Sequence, residues 1–150
     1  MKAEYRKILV ATDGSDEAEL AINAAIELAK ENDAHLDVLN IIDTSAMTSY
    51  SVPITGDLVY ELTLKAQEYM DEIEERAKAK GLDKINVHVR FGKPRVVISK
   101  EFPKEYDNDL IVMGATGLNA MERLLIGSVS EFVSRNAPCD VLIVRTGLKK

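Results

Sequence analysis

Residues 110–136 read LIVMGATGLNAMERLLIGSVSEFVSRN, and this stretch contains an apolar run, a glycine-rich loop and the start of a helix. The apolar run LIVM is typical of a buried strand. Gly114 and Gly117 follow it, and Gly127-Ser128 precede a predicted helix over residues 129–136. Glycine lets backbone N–H groups approach a ligand, and the first N–H groups of a helix have no intrahelical acceptor. The stretch therefore predicts a phosphate-binding site.

The same alternation of short apolar runs and amphipathic segments extends through the rest of the chain. Strands are predicted at residues 7–11, 36–42, 85–90, 110–113 and 141–144. Helices are predicted at residues 16–32, 58–80, 94–102 and 129–136. The pattern indicates an α/β fold, a three-layer sandwich with a parallel sheet covered on both faces. With no linker visible in 150 residues, we expect a single domain over residues 1–150.

Local signals set the expected helix boundaries. Asp16 with Glu19 resembles a capping box, and Ser128 with Glu131 forms an S-x-x-E box that would make Ser128 an N-cap. Gly81 is expected to end the second helix.

Two further expectations concern loops and surfaces. Pro103 is expected to stop the third helix and leave a loop before the fourth strand. Residues 43–57 form a long polar connection, a type of loop that is often functional. The charged face of the second helix is expected to be solvated, and it comprises Glu68, Asp71, Glu72, Glu74, Glu75 and Arg76.

Composition excludes several classes of protein. The net charge is −6, from 25 acidic and 19 basic residues, and the basic residues are scattered, which disfavours nucleic-acid binding. No apolar run approaches the about 20 residues of a membrane span, and the N-terminus shows no secretory signal, so we expect a cytoplasmic protein without a membrane partner. The single Cys139 is expected to be a buried junction residue, and His35 and His88 lack the neighbours of a zinc site.

Motifs of common enzymes are missing from the sequence. The glycines are not followed by the lysine of a P-loop, and no G-x-G-x-x-G follows the first strand. There is also no nucleophile elbow with its histidine and aspartate. We therefore predict no catalytic residue.

Three segments together resemble the universal stress protein family. Residues 7–15, KILVATDGS, resemble its opening strand, and residues 136–145, NAPCDVLIVR, resemble its last helix–strand junction. The pattern Gly114-x2-Gly117-x9-Gly127-Ser128 is similar to the signature of its ATP-binding branch. The resemblance covers essentially the whole chain. It implies a five-stranded parallel sheet in the order 3-2-1-4-5, of the adenine nucleotide alpha hydrolase-like or Rossmann-like type.

The resemblance also implies a ligand and a partner. It implies ATP with Mg²⁺ or Mn²⁺, bound by Thr12, Asp13, Ile41, Ile42, Met113, Gly114, Thr116, Gly117, Gly127, Ser128, Val129 and Ser130. Asp13 would meet the ribose or, weakly, the phosphate-bound metal, backbone groups at Ile41 and Ile42 would meet the adenine, and the glycines and the serines would hold the phosphates. It further implies a homodimer through the last strand, by Val141, Leu142, Ile143 and Val144.

Alternatives remain open for residues and for function. Asp13 also suits a turn before the first helix, and Gly114 and Gly117 suit a tight turn after a strand. The leading hypothesis is a nucleotide-dependent switch in a stress response, in which ATP orders residues 43–57 and 118–126 for an unknown protein partner. One alternative is a dimeric interaction module that binds no nucleotide. Another is a weak ATPase or an autophosphorylating protein, with Thr116, Ser128 or Ser130 as the acceptor.

Overall fold

Five parallel strands form the central sheet of the protein. The computed structural model describes residues 4–44, 55–116 and 126–145. The strands are β1 (Lys7–Ala11), β2 (His35–Ile42), β3 (Ile85–Phe91), β4 (Leu110–Gly114) and β5 (Asp140–Val144). Their order is β3-β2-β1-β4-β5, with every neighbouring pair parallel, which confirms the predicted fold class and strand order. β3 and β5 are the two edges.

Four helical regions connect the strands in the part of the chain that the structure describes. They are α1 (Asp16–Asn32), α2 (Gly56–Ala79), α3 and α4 (Ser128–Asn136). The region named α3 is continuous and has three parts, Pro94–Val96, a π-helical part Val97–Glu101, and Phe102–Tyr106. None of the described helices has the length and apolarity needed to cross a membrane.

Alternating side chains of the strands build a hydrophobic core on each face of the sheet. On β1, Ile8 and Val10 pack in a cluster with α1 and α2, whereas Leu9 and Ala11 pack in a cluster with α3 and α4. This is the period of two that a strand imposes on its side chains. Because both faces are covered, the central strands are strongly apolar: β4 is apolar throughout and β1 is apolar from Ile8 onward.

The prediction that the third helix stops before Pro103 is wrong. The helix continues through Pro103 to Tyr106, and Asp107 then takes a left-handed conformation with φ 55°. The preceding turn is π-helical, with the N–H of Phe102 bonded to the carbonyl of Val97. A proline ring normally collides with the carbonyl four residues earlier, and the wider π-turn gives that ring room.

Both predicted capping boxes are also wrong. The N-cap of α1 is Ser15, whose Oγ accepts from the N–H of Ala18 at 3.2 Å. The N-cap of α4 is Gly127, which makes no side-chain cap, and Ser128 is already the first helical residue. In each case the N-cap lies one residue before the predicted cap. The predicted start of α1 at Asp16 is confirmed, whereas α4 begins one residue before the predicted position 129. Gly81, with φ 95°, follows α2 as predicted.

Candidate functional site

The carboxyl ends of the three central strands, β2, β1 and β4, lie side by side along one edge of the sheet. This edge is the border at which the strands end, and it is distinct from the edge strands β3 and β5. β1 lies between β2 and β4, with Val10 paired to Val38 on one side and to Val112 on the other. The chain leaves β1 toward β2 on one side and later reaches β4 on the other. This reversal of strand order opens the crevice in which ligands of open α/β sheets bind. The structure therefore brings Asp13 and Gly114 to the same edge, as the predicted adjacency of the first and fourth strands requires.

Three consecutive residues at the end of β4 are each tied to a different partner. The carbonyl of Gly114 accepts from Ser130 Oγ at 2.6 Å. The carbonyl of Ala115 accepts from the N–H of Gly127 at 2.6 Å, and the N–H of Ala115 donates to Val144 at 2.9 Å. The N–H of Thr116 donates to Glu17 Oε1 at 3.0 Å, and its hydroxyl donates to the same oxygen. The end of β4 is thus fixed between the first turns of α1 and α4.

Two of the predicted glycines are required by close packing. A Cβ on Gly114 would lie 2.9 Å from the backbone carbon of Glu17 and 3.1 Å from the nitrogen of Ala18. A Cβ on Gly127 would lie 3.2 Å from the carbonyl oxygen of Ala115. Neither glycine has a left-handed φ, so the turn interpretation of Gly114 is replaced by a packing role. Gly117 lies outside the described residues.

The first turn of α4 faces this edge with backbone N–H groups. The N–H of Glu131 is the first to bond within the helix, to the carbonyl of Gly127 at 2.9 Å. The N–H groups of Ser128, Val129 and Ser130 precede it, at the positions that lack intrahelical acceptors. Ser130 is 3% exposed and its hydroxyl donates to the carbonyl of Gly114, so this side chain joins α4 to the end of β4. Ser128, by contrast, is exposed.

Thr12 and Asp13 form the turn that leads from β1 into α1. Asp13 Oδ1 accepts from the N–H of Ser15 at 2.9 Å, and Thr12 Oγ1 accepts from the N–H of Gly14 at 3.1 Å. Gly14 has φ 84°, which favours glycine. The turn role that the sequence left open for Asp13 is therefore present, with the residue exposed at the cleft. Thr12 is buried, and its N–H and carbonyl are bonded to Leu39 and to the Asn40 side chain.

The residues predicted to meet an adenine, Ile41 and Ile42, lie at the end of β2, and Met113, predicted to bind the nucleotide, lies across β1 on β4. Ile41 and Met113 belong to the hydrophobic cluster shared with α3 and α4, Met113 buried and Ile41 partly so. Ile42 is the last residue of β2, and its carbonyl accepts from the N–H of Gly92 at 3.1 Å. The predicted loop 43–57 lies largely outside the described residues, and so does 118–126 apart from its last residue.

A polar network that the sequence analysis missed links Thr12 to α2. Tyr69 donates its hydroxyl to Glu19 Oε2 at 2.7 Å and lies 2.9 Å from Thr12 Oγ1. Arg76 Nη1 lies 2.9 Å from Glu19 Oε1, so Arg76 is paired and not merely solvated as predicted. Tyr69 and Arg76 are seven residues apart, which is about two helical turns. This spacing places them on one face of α2 and could have indicated that they share a partner.

The network shifts the pKa of two of its members. Burial is the main cause that raises the pKa of Tyr69 to about 12. The hydrogen bond with Thr12 opposes this rise, and the hydrogen bond to Glu19 and the charge of Glu19 add to it. Burial also tends to raise the pKa of Glu19. The hydrogen bonds from Arg76 and Tyr69, together with the charge of Arg76, outweigh this effect and hold that pKa below its usual range. Glu19 is therefore a carboxylate at neutral pH.

A second buried polar cluster lies nearer the amino ends of the strands, away from the candidate site. Asp37 is buried on β2, and its carboxylate oxygens lie 2.9 Å from His88 Nε2 and 3.1 Å from Asn108 Nδ2. His35 Nδ1 lies 3.7 Å from the same carboxylate. Burial raises the pKa of Asp37, but these hydrogen bonds and the two imidazoles hold it below its usual range overall. His88 is thus partly buried and bonded through Nε2 to a carboxylate.

Metal binding has little support from protein side chains. Within residues 4–44, 55–116 and 126–145, no group of three His, Cys, Asp or Glu side chains is arranged to hold a metal ion. Cys139 is half-buried between α4 and β5, and burial raises the pKa of its thiol to about 11. An Mg²⁺ ion at this edge would need ligands from a bound phosphate, which is the usual way in which proteins bind it.

Comparison with known proteins places these features in a family. The model of the universal stress protein family matches residues 4–145. A relative from Staphylococcus haemolyticus, described as a universal stress protein, is 43% identical over 146 residues, which cover 95% of this chain and 86% of that protein. The universal stress protein UspA from Lactobacillus plantarum has a TM-score of 0.79 at 29% identity, with 96% of this chain and 100% of that chain covered. A universal stress protein in complex with cAMP has a TM-score of 0.74 at 29% identity, with coverage of 97% and 100%.

Proposed function

Because the chain belongs to the universal stress protein family, we propose that it binds an adenine nucleotide, with ATP as the leading candidate, and acts as a nucleotide-dependent switch in a stress response. The observation that carries this proposal is the first turn of α4, which presents the N–H groups of Ser128, Val129 and Ser130 beside a strand end. Gly114 and Gly127 leave no space for a side chain there. Such a helix N-terminus is a favourable site for phosphate. A relative solved with cAMP supports an adenine nucleotide in this family.

Each predicted residue has a distinct role in this proposal. The N–H groups of α4 and the bare backbone at Gly127 hold the phosphates, together with Gly117. Asp13 lies exposed at the cleft and accepts from the ribose hydroxyls or from water on a phosphate-bound Mg²⁺ or Mn²⁺. Ile41, Ile42 and Met113 contact the adenine. Thr12 acts indirectly, because its own polar groups are already bonded within the protein.

The test of binding is the thermal stability of the protein with and without Mg·ATP. Ligand at about 100 times its Kd should add about 2.7 kcal/mol to the free energy of unfolding. Gly127→Val should abolish that gain, because the longer side chain collides with the carbonyl of Ala115. Ser134→Ala is the matched control, since Ser134 lies in the second half of the same helix and its hydroxyl donates to the carbonyl of Glu131 in its own turn.

Three outcomes would count against parts of the proposal or against its alternatives. A wild-type protein stabilised by neither ATP, ADP, AMP nor cAMP, and purified without bound nucleotide, would favour the dimeric interaction module. A gain that persists in Gly127→Val would place the nucleotide elsewhere. Unchanged mass after incubation with ATP would count against autophosphorylation, and the buried hydroxyl of Ser130 already makes that residue a poor acceptor.

The switch itself is tested by limited proteolysis. Ligand drives a conformational change only by binding one state better than another. We expect saturating ATP to protect residues 43–57 and 118–126 from cleavage. Equal cleavage of both segments with and without ATP would refute the switch.

We further propose a homodimer through β5. This strand is an edge of the sheet, and it carries Leu142, which is 39% exposed, beside the partly buried Val141 and Ile143. Apolar edge strands are sites of strand pairing between chains. Leu142→Lys should convert a dimer to a monomer in analytical ultracentrifugation, while Leu64→Lys, on an exposed position of α2, should not. We also propose that residues 1–150 form one domain and that the protein works in the cytoplasm.

A further inference from the structure

We propose that Glu17 is a positioning residue, one that fixes the phosphate-binding turn of α4 through Thr116 without touching the nucleotide. This inference rests on the proposed function of the same site. Glu17 is the second residue of α1 and is 7% exposed, although it carries a carboxylate. A buried charge needs strong partners, so its contacts indicate what it does.

Two hydrogen bonds join Glu17 to Thr116. Its Oε1 accepts from the backbone N–H of Thr116 at 3.0 Å and from the Thr116 hydroxyl. The first turn of a helix also favours a negative charge. Thr116 was predicted among the nucleotide-binding residues, and these contacts direct its two donors to Glu17.

The position of Glu17 is itself fixed by packing. Its backbone carbon lies so close to Gly114 that a Cβ there would be 2.9 Å away. Across the same strand end, Ser130 and Gly127 hold Gly114 and Ala115 from the side of α4. Thr116 is therefore held by α1, while the two residues before it are held by α4. Loss of the Glu17 contact should loosen the segment against which the N–H groups of α4 are aligned.

Four variants test this inference by affinity for ATP and for adenosine, measured by isothermal titration calorimetry. Glu17→Ala should weaken ATP binding by about 10-fold or more, the effect typical of losing a hydrogen bond to a charged group. Adenosine binding should change by less than about 2-fold, because adenosine has no phosphate. Glu17→Gln keeps the accepting oxygen and should restore most of the ATP affinity. Thr116→Val removes only the hydroxyl donor and should give a partial loss.

Asp16→Ala is the matched control, because it removes an exposed carboxylate from the same helical turn. Tighter ATP binding by Glu17→Ala would show that the carboxylate competes with phosphate, and would overturn the inference. Equal losses for ATP and adenosine, or no loss, would overturn it too. Should Glu17→Ala fail to fold, Thr116→Val carries the same comparison.

Hydrogen exchange separates this inference from the proposed function, because it needs no nucleotide. In Glu17→Ala the amides of Thr116, Gly127 and Glu131, which are hydrogen-bonded in the wild type, should exchange faster, while the amides of β1 stay unchanged. If exchange changes in this way but neither the wild type nor any variant binds nucleotide, Glu17 positions Thr116 as inferred and the proposed function fails. If exchange at Thr116 is unchanged, the positioning role is refuted whatever the nucleotide data show.

Discussion

Replacement of Gly114 by alanine tests how tightly the strand end packs against α1. The added Cβ would lie 2.9 Å from the carbonyl carbon of Glu17, 3.0 Å from its Cβ and 3.1 Å from the nitrogen of Ala18. Two of these three atoms are backbone atoms of a helix, so no flexible side chain can move aside. Either α1 shifts or β4 does.

The expected cost follows from this geometry. Inserting a methyl group into a well-packed core usually costs about 1–3 kcal/mol, and a rigid backbone neighbour favours the upper part of that range. We expect Gly114→Ala to lower the free energy of unfolding by about 2–3 kcal/mol. Because the shift would also disturb the Glu17–Thr116 contact, ATP affinity should fall in the same variant.

Urea denaturation followed by circular dichroism measures this cost. Gly56→Ala is the matched control, since a Cβ at the first residue of α2 would meet nothing within 4 Å. That variant should be neutral or slightly stabilising, because alanine is a better helix former than glycine. If Gly114→Ala keeps wild-type stability to within about 0.5 kcal/mol, the packing argument is refuted.

Three further predictions concern groups outside the glycines. Asp37→Asn should lose about 2 kcal/mol of unfolding free energy at pH 7, since hydrogen bonds to a buried carboxylate contribute about 1.5–3 kcal/mol; a variant as stable as the wild type would contradict the bonding to His88 and Asn108. Because the pKa of Asp37 is lowered on folding, its contribution to the free energy of unfolding is present above the unfolded pKa of about 3.9 and is lost as the pH falls through the folded pKa. The urea midpoint, measured between pH 7 and 3, should therefore fall less steeply for Asp37→Asn than for the wild type. Cys139, with a pKa of about 11, should react with iodoacetamide at pH 8 on the order of 100-fold more slowly in the native state than in urea, and equal rates would refute its burial.

The layered fold could be predicted because its signals are local and repeated. The apolar runs that became β1, β2 and β4 and the helical face of α1 are read within short windows, and the strand order followed from the family resemblance. The errors fell at helix ends, where a single hydrogen bond decides the boundary. Ser15 caps α1 in place of Asp16, and a π-turn carries α3 past Pro103.

Within the candidate site, the sequence indicated the residues but not what each one bonds. Gly114 and Gly127 were predicted to bind a ligand. The structure shows that a side chain at either position would collide with a residue distant in sequence, Glu17 or Ala115. Glu17 itself was not singled out, because an acidic residue in the first turn of a helix is common. Its partner lies 99 positions further along the chain, and only the folded structure brings the two together.

The end of β4 also has a mechanical consequence. The sheet separates the layer of α1 and α2 from the layer of α3 and α4, and most of their side chains never meet. At Gly114, however, a helix of each layer touches the same residue, α1 by packing and α4 by a hydrogen bond. Because both contacts fall on one residue, a displacement of either helix at Gly114 would move the strand end that the other helix contacts.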